Sequence, residues 1–389
     1  MRPLDGRRVW FVGIGGAGLS SYAFLARAWG AEVGGWDRVE TPYLRGLEGI
    51  EVVLAPEPVV PEGWEAVVSS AYPSVAGTTR ADFLAELVSL RRSIAVAGAH
   101  GKTTTTGMIA FVLAELGLDP AWLVGGEIAQ LGGNAGAGEG WLVVEADESD
   151  RTVERLRPEI GVVTNIELDH HSTFASAVEV EEMFERWLVT VPQVVRGWEL
   201  EPVAVELALP GEHNRRNAAA AIAALELAGV TRADAEPVLA RFRGVGRRFE
   251  TVGEKHGVVV VDDYAHHPSE IVATISAARE RTDGRVLVLF QPHLYSRTRH
   301  LAHELGLALS AADAACVTEI YPAREDPIDG VSGKLVVDAL RPGLRAGWAP
   351  LVEDGVRIVA SWARPGDFVV TVGAGDIERA GPLVLEALR

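Results

Sequence analysis

Between Ala95 and Gly117 the chain reads AVAGAHGKTTTTGMIAFVLAELG. An apolar run ends in a glycine-bounded turn, then a lysine and consecutive threonines, and a helical pattern follows at once. Residue types in this order suit the holding of a nucleotide triphosphate. The backbone N–H groups of Gly101 and Lys102 open a helix, so unpaired donors and the positive end of the helix dipole face anionic oxygens. Lys102 would bring mobile positive charge to the β- and γ-phosphates, and Thr103 a hydroxyl to Mg²⁺. Val96 stands where the strict phosphate-loop pattern has its first glycine. The expected cradle is therefore a shortened one, GAHGKT.

A second glycine cluster, GIGGAG from Gly13 to Gly18, follows the apolar run VWFV, and Asp37 closes the next apolar run. The pattern fits G-x-G-x-x-G with a downstream acid, the fingerprint of a turn that approaches a pyrophosphate closely. A dinucleotide such as NAD carries that group, and so does a UDP-sugar.

Two acidic signatures follow the phosphate loop. In VVEADESD, Glu145 comes directly after a buried-looking run, where a carboxylate can hold Mg²⁺ or its water. Asp147, Glu148 and Asp150 read as a solvated acidic turn. In TNIELDHH, Asn165, Asp169 and His170 are expected on the same sheet edge, with His170 in a metal or phosphate role. Further on, His213, Asn214 and Asn217 precede or begin an alanine-rich helix. The two asparagines are one turn apart, so both amides would face one ligand.

The last group comprises Arg247 and Arg248 in GVGRRFE, then DDYAHHPSEI (Asp262–Ile271) and FQPHLYSRTR (Phe290–Arg299). Polar residues crowd the ends of two strands, where open α/β sheets take ligands. Arg297 suits a carboxylate through a bidentate pair. Ser296, His266 and Asp263 have the residue types of a hydrolase triad, but no G-x-S-x-G elbow surrounds Ser296.

Apolar runs alternating with helical patterns position these groups. Strands are expected at Val9–Val12, Glu32–Trp36 and Ala66–Ser69, with a helix at Leu19–Trp29. A second block has strands at Ser93–Ala97, Trp141–Glu145 and Ile160–Asn165 and a helix at Arg215–Leu227, stopped near Gly229. A third block has strands at Gly257–Asp262, Arg285–Gln291, Ala314–Thr318 and Asp367–Val372. Such alternation implies parallel sheets with crossover helices. The 389 residues suit two or three domains, and 48% apolar content allows large cores. A formal charge of −18 argues against non-specific binding to nucleic acid or to an anionic membrane. Cys316 is the single cysteine, so no disulfide framework or cysteine metal cluster is expected, and a reducing cytoplasm fits. Arg2, Arg7 and Arg8 imitate the start of a secretory leader, but glycines break the apolar stretch after them. No run reaches the ~20 apolar residues of a membrane helix.

Taken in order, GIGGAGLS, GAHGKTTTT, EADESD, TNIELDH, PGEHNRRNA, GRRFE, DDYAHHPSE and FQPHLYSRTR resemble the Mur ligase family over essentially the whole chain. Within that family the resemblance is to members that add L-alanine to UDP-N-acetylmuramate in the assembly of peptidoglycan precursors. The resemblance implies an α/β chain of three domains. A Rossmann-like, UDP-sugar-binding domain would span 1–93, a phosphate-loop-type ATP-binding central domain 94–245, and a Rossmann-like C-terminal domain 246–389. It implies ATP and Mg²⁺ as cofactors, UDP-N-acetylmuramate and L-alanine as substrates, and domain closure to shield an acyl phosphate. Gly13, Gly15, Gly16, Gly18 and Ser70 would bind the UDP-sugar. Gly98, His100, Gly101, Lys102, Thr103 and Thr104 would surround ATP, joined by Asn214, Asn217, Arg248 and Asp263. Thr103, Glu145 and His170 would hold Mg²⁺. Tyr264, His266 and Arg297 would meet the amino acid, with catalytic roles for Lys102, His266 and Arg297. The chain is much shorter than the family between Pro192 and Pro210, which predicts a trimmed central sheet. Leu294 stands where many relatives carry a basic residue.

Overall fold

The computed structural model describes residues 2–169, 173–323 and 325–388. The chain divides into two compact units, one comprising Met1–Glu167, Val178–Glu201 and Asn217–Leu239, the other Leu168–Ala177, Pro202–Arg216 and Ala240–Arg389. The described residues form three sheets of five, six and six strands. Two of these sheets lie in the first unit.

The first sheet holds β1 (Arg8–Val12), β2 (Glu32–Asp37), β3 (Glu51–Leu54), β4 (Glu65–Val68) and β5 (Thr78–Thr79), all parallel, in the order β3-β2-β1-β4-β5. Helix α1 (Ala17–Ala28) crosses from β1 to β2, and α2 (Arg80–Ser89) follows β5. Thr79 caps α2 by accepting a hydrogen bond from the Asp82 N–H at 3.1 Å. Buried Val9 to Val12 put β1 at the centre, as a parallel strand with both faces covered must be.

The second sheet is built from β6 (Ser93–Ala97), β7 (Ala121–Ile128), β8 (Gly133–Ala137), β9 (Leu142–Glu145), β10 (Ile160–Val163) and β11 (Gln193–Arg196), in the order β11-β10-β6-β9-β7-β8. Only the β7–β8 pair is antiparallel. Strand β6 is buried throughout, and α3 (Lys102–Glu115) springs from its carboxyl end. Residues Thr103 to Leu113 of α3 are all buried, so the helix is a core element covered nearly all round. The chain then forms α4 (Ala177–Leu188), α5 (Glu212–Leu227) and α6 (Arg232–Leu239). Among the described residues no strand lies between Arg196 and Glu212, as the shortened stretch predicts.

The third sheet contains β12 (Glu250–Lys255), β13 (Val258–Asp263), β14 (Val286–Phe290), β15 (Ala314–Thr318), β16 (Arg345–Ala349) and β17 (Phe368–Val372), in the order β12-β13-β17-β14-β15-β16. Only β12 runs antiparallel to its neighbour. Helices α7 (Pro268–Arg279), α8 (Tyr295–Leu309), α9 (Lys334–Asp338), α10 (Val352–Trp362) and α11 (Ala380–Ala387) complete this part. Two apolar clusters cover its faces, one around Ile271, Val288 and Leu309, the other around Leu287, Val356 and Val384. Parallel register sets Asp263 and Phe290 both beside Val372, so β13 and β14 deliver the next residues of the chain to one edge.

Every strand expected from the sequence forms within a residue or two of its predicted bounds. Helix α5 begins at Glu212, a turn before the expected Arg215, and the expected stop holds, since Gly229 takes φ +95°. The pattern missed β3, β5, β7, β8, β11, β12 and β16. Strand β8, GNAGA, has no β-branched residue, and β12, ETVGEK, is polar. Their pairing is dictated by neighbours, not by propensity. Among the described residues no helix is long and apolar enough to cross a membrane.

Candidate active site

The first glycine turn links β1 to α1. Gly13 adopts φ +87°, and the Gly15 N–H donates to Asp37 Oδ2 at 2.7 Å. Thr41 donates its hydroxyl to the Gly15 carbonyl at 2.7 Å. The other Asp37 oxygen accepts from the Arg38 N–H at 2.7 Å. The acid that in a dinucleotide site would greet a ribose is here a latch that fixes the loop, and this disfavours the NAD reading of the motif. Gly16 closes the turn, its N–H donating to the Gly13 carbonyl at 3.1 Å. Ser70 is exposed in the turn after β4. A Cβ at Gly18 would meet Arg80 Nη1 at 3.4 Å. This arginine, which the sequence reading did not single out, lies 3.7 Å from Asp147 and 3.9 Å from Asp150. Its Nε has no hydrogen-bond partner. Arg80 thus joins the glycine turn of the first sheet to the acidic loop after β9.

The phosphate loop runs from β6 to α3. Gly98 and Gly101 take φ +123° and +80°, conformations that favour glycine. A Cβ at Gly101 would fall 2.3 Å from Asn217 Oδ1. The loop is sewn to β10: the His100 N–H donates to Asn165 Oδ1 at 2.9 Å, and Asn165 Nδ2 donates back to the His100 carbonyl at 2.8 Å. Asn165 thus shapes the cradle. The His100 ring meets Glu167 at 2.8 Å.

The side chain of Lys102 reveals the largest correction to the sequence reading, which concerns Glu148. Its ammonium donates to the carbonyls of Gly98 at 2.7 Å and Ala99 at 3.3 Å and to Glu148 at 2.9 Å. Glu148 is only 2% exposed, so it is the buried counter-ion of the loop lysine and not part of a solvated turn. Burial alone would lower the Lys102 pKa, but Glu148, Asp147 and Glu145 together hold it above the ordinary range. Burial would raise Asp147, yet Lys102 and the Ser149 contacts bring it below its usual value. Thr103 donates its hydroxyl to Glu145 Oε1 at 3.0 Å, and Glu145 Oε2 accepts from the Gly125 N–H at 2.9 Å. Thr104 is buried in the first turn of α3. His170 lies outside the described residues.

In the second unit, residues from the ends of β13 and β14 meet Asp169. Arg297, 5% exposed, donates through Nε to Asp169 Oδ1 at 2.9 Å, with Nη2 at 2.7 Å from the same oxygen. Its Nη1 donates to His293 Nδ1 at 3.2 Å. The guanidinium expected to clamp a substrate carboxylate is therefore already engaged. His266 Nδ1 donates to the Tyr264 carbonyl at 3.0 Å, and its Nε2 lies 3.9 Å from Asp169 Oδ2. The rings of His266 and His293 are 5.9 Å apart, and His293 stacks on Tyr321. Burial pushes His266 down to about 4 and His293 to about 3, with Arg297 adding to both. Burial raises the Tyr264 phenol. His293 was missed because one histidine between Pro292 and Leu294 carries no spacing signal.

Asp263 accepts from the Phe249 and Ala265 N–H groups at 2.7 and 2.8 Å, and burial pushes it up to about 6. Arg247 and Phe249 both have positive φ, +59° and +52°, a costly backbone on either side of Arg248. Arg248 lies over the Tyr264 ring at 4.9 Å. Arg247 donates to Asp262 at 3.0 Å and to the Gly373 carbonyl at 2.8 Å. Asn214 donates to the Pro210 carbonyl at 2.7 Å. Ser296 donates to Glu325 and not to His266, so no hydrolase triad forms.

Comparison with known proteins adds to this geometry. Residues 96–193 match the Mur ligase middle domain, and 247–375 match the Mur ligase, glutamate ligase domain. UDP-N-acetylmuramate–L-alanine ligase of Streptomyces coelicolor is 40% identical over 454 aligned residues, covering 98% of this chain and 97% of the relative. The enzyme of the same name from Rubrobacter xylanophilus is 40% identical over 448, covering 98% and 100%. The crystal structure of UDP-N-acetylmuramate-alanine ligase from Thermotoga maritima is similar with a TM-score of 0.80 at 27% identity, covering 97% of this chain and 98% of that one. Both aligned lengths exceed the 389 residues of the chain, so these relatives contain stretches that it lacks.

Proposed function

The chain belongs to the Mur ligase family, and from that premise we propose that it joins L-alanine to the carboxylate of UDP-N-acetylmuramate with hydrolysis of ATP. The observation that carries this reading is the presence, in one unit, of two different anion-binding turns. The Gly13–Gly18 turn has its acid locked inward, which leaves no evident nicotinamide task, and the Gly98–Thr104 loop has the lysine and threonines of a triphosphate cradle. We read the three sheets as the three domains and assign the protein to the cytoplasm, where both nucleotides are made.

A carboxylate is a poor acyl donor because oxide is a poor leaving group. Transfer of the γ-phosphoryl of ATP to the muramyl carboxylate gives an acyl phosphate and ADP. The amine of L-alanine then attacks the acyl carbon, and phosphate departs. Lys102 is suited to neutralise charge on the moving phosphoryl group. Thr103 and Glu145 present hard oxygens 3.0 Å apart, which fits Mg²⁺, with His170 assigned to the same ion. When bound, the ion would polarise the phosphoryl oxygens. Asn214, Asn217, Arg248 and Asp263 are assigned to ATP by the family motifs. The alanine ammonium must shed a proton before attack. We assign that step to His266, whose Nε2 makes no hydrogen bond among the described residues; burial disfavours its charged form, and Asp169, 3.9 Å away, would face and stabilise the imidazolium formed.

The test is phosphate release from ATP, with and without UDP-N-acetylmuramate, against a panel of amino acids. Release should need the sugar nucleotide and be fastest with L-alanine. Hydroxylamine in place of alanine should yield a hydroxamate of the sugar nucleotide together with ADP. Formation of AMP and pyrophosphate, or no dependence on the sugar nucleotide, would overturn the proposal.

A further inference from the structure

The two histidines of the second unit differ in which ring nitrogen carries the hydrogen, and their partners settle it. A guanidinium has only donors, so the contact from Arg297 Nη1 to His293 Nδ1 at 3.2 Å requires a lone pair on that nitrogen. His293 therefore carries its hydrogen on Nε2. A carbonyl only accepts, so the 3.0 Å contact of His266 Nδ1 with the Tyr264 carbonyl places a hydrogen on Nδ1. The carboxylate of Glu270, 3.5 Å from the same atom, asks for the same arrangement. His266 is left with its lone pair on Nε2. One ring thus offers a donor and the other an acceptor, and neither Nε2 makes a hydrogen bond among the described residues.

We propose, building on the function given above, that His293 is a further binding residue for the incoming amino acid, its Nε2–H donating to that substrate's carboxylate. Arg297 is then the positioning residue that fixes the tautomer of His293, and Asp169 holds Arg297 in place. The opposite end of the substrate, the amine, falls to the His266 lone pair. The ring centroids lie 5.9 Å apart, close enough for one small substrate to reach both rings through hydrogen bonds of about 3 Å. The backbone supports the same placement. Leu294, directly after His293, is held at φ +70°, and its N–H donates to the Tyr321 carbonyl at 3.0 Å. A non-glycine residue keeps such a conformation only where its surroundings impose it. The His293 ring beside it lies parallel to Tyr321, at an interplanar angle of 13°.

The experiment is steady-state kinetics of His293→Phe, which retains a ring against Tyr321, and His293→Gln, whose amide nitrogen can stand in for Nε2. The KM for L-alanine should rise about 10- to 100-fold in His293→Phe, as expected for loss of a hydrogen bond to a charged group. The KM values for ATP and UDP-N-acetylmuramate should stay within twofold, and His293→Gln should recover most of the loss. L-alaninamide, which has no carboxylate, should be used equally well by wild type and His293→Phe. Equal losses for alanine and alaninamide, or an alanine KM within twofold of wild type in His293→Phe, would overturn the assignment. A wild-type enzyme that releases no phosphate with alanine would instead overturn the function on which it rests.

Discussion

Lowering the pH from 7 to 5 should destabilise this chain, because three histidines of the second unit are buried as neutral rings. Burial holds His213 and His266 down to about 4 and His293 to about 3, against an ordinary 6.5. On unfolding, each ring would take up a proton below about pH 6.5. The folded values lie below the unfolded ones, so the stability from these rings is complete above about pH 6.5 and is lost as the pH falls toward 4. Asp263 works in the opposite sense. Burial lifts it from 3.8 to about 6, so between those values the folded chain holds a proton that the unfolded chain releases. From these four groups the net uptake on unfolding near pH 5 is about two protons, and their slope is roughly 3 kcal/mol per pH unit. A slope of that size takes a large share of a domain's usual 5–15 kcal/mol over the two pH units. The assay is urea unfolding followed by tryptophan fluorescence at pH 5 to 7.5, with proton uptake measured directly in unbuffered solution. His213→Phe should cut the uptake near pH 5 by about one proton. A midpoint that stays flat or rises on acidification, or a net release of protons, would refute the reasoning.

Lys102→Ala should keep the far-UV circular dichroism of wild type while lowering kcat by at least about two decades, since one lost contact to developing charge costs about 3 kcal/mol; near-normal turnover would remove it from the mechanism. Glu148→Gln leaves that lysine buried without its counter-ion and should lower unliganded stability by about 3 kcal/mol. ATP should then raise its melting temperature by more than it raises that of wild type, and an equal rise would contradict the pairing. Gly101→Ala must place a Cβ 2.3 Å from Asn217 Oδ1 at φ +80°, and should cost at least about 1–2 kcal/mol and weaken ATP binding, read by calorimetry. Leu294→Arg should change stability by no more than about 0.5 kcal/mol, because the φ of +70° burdens both side chains alike and the side chain is not fully buried; a large drop in the urea midpoint would show that Leu294 packs where an arginine cannot.

The core strands were legible because β6, β9, β13, β14 and β17 are short apolar runs bounded by polar or glycine residues, the signature of strands buried on both faces. Edge strands were not, since β8 and β12 gain their shape from one neighbour and carry little pattern of their own. The phosphate loop was readable because its chemistry depends on adjacent residues, glycine, lysine and threonine in sequence. Glu148, Arg80 and His293 were not. Each matters through a partner far off in the chain: Glu148 through Lys102, Arg80 through Asp147 and Asp150, His293 through Tyr321. Asp37 was read correctly as belonging to the glycine motif. Which way its carboxylate turned was open, because a ribose hydroxyl and the Gly15 N–H both donate to it.

The Lys102–Glu148 contact bears on turnover. A carboxylate and two carbonyls already satisfy the lysine, so on the proposed role of this loop the phosphates of a nucleotide would have to compete with Glu148 for it. Affinity for ATP would then be a difference between two pairings, weaker than an unpaired lysine would give. The same subtraction applies to ADP and phosphate after the bond is made, when Glu148 can reclaim the lysine as the products leave. A loop arranged in this way would hold its nucleotide less tightly at both ends of the cycle than an unpaired lysine would, which favours rapid exchange.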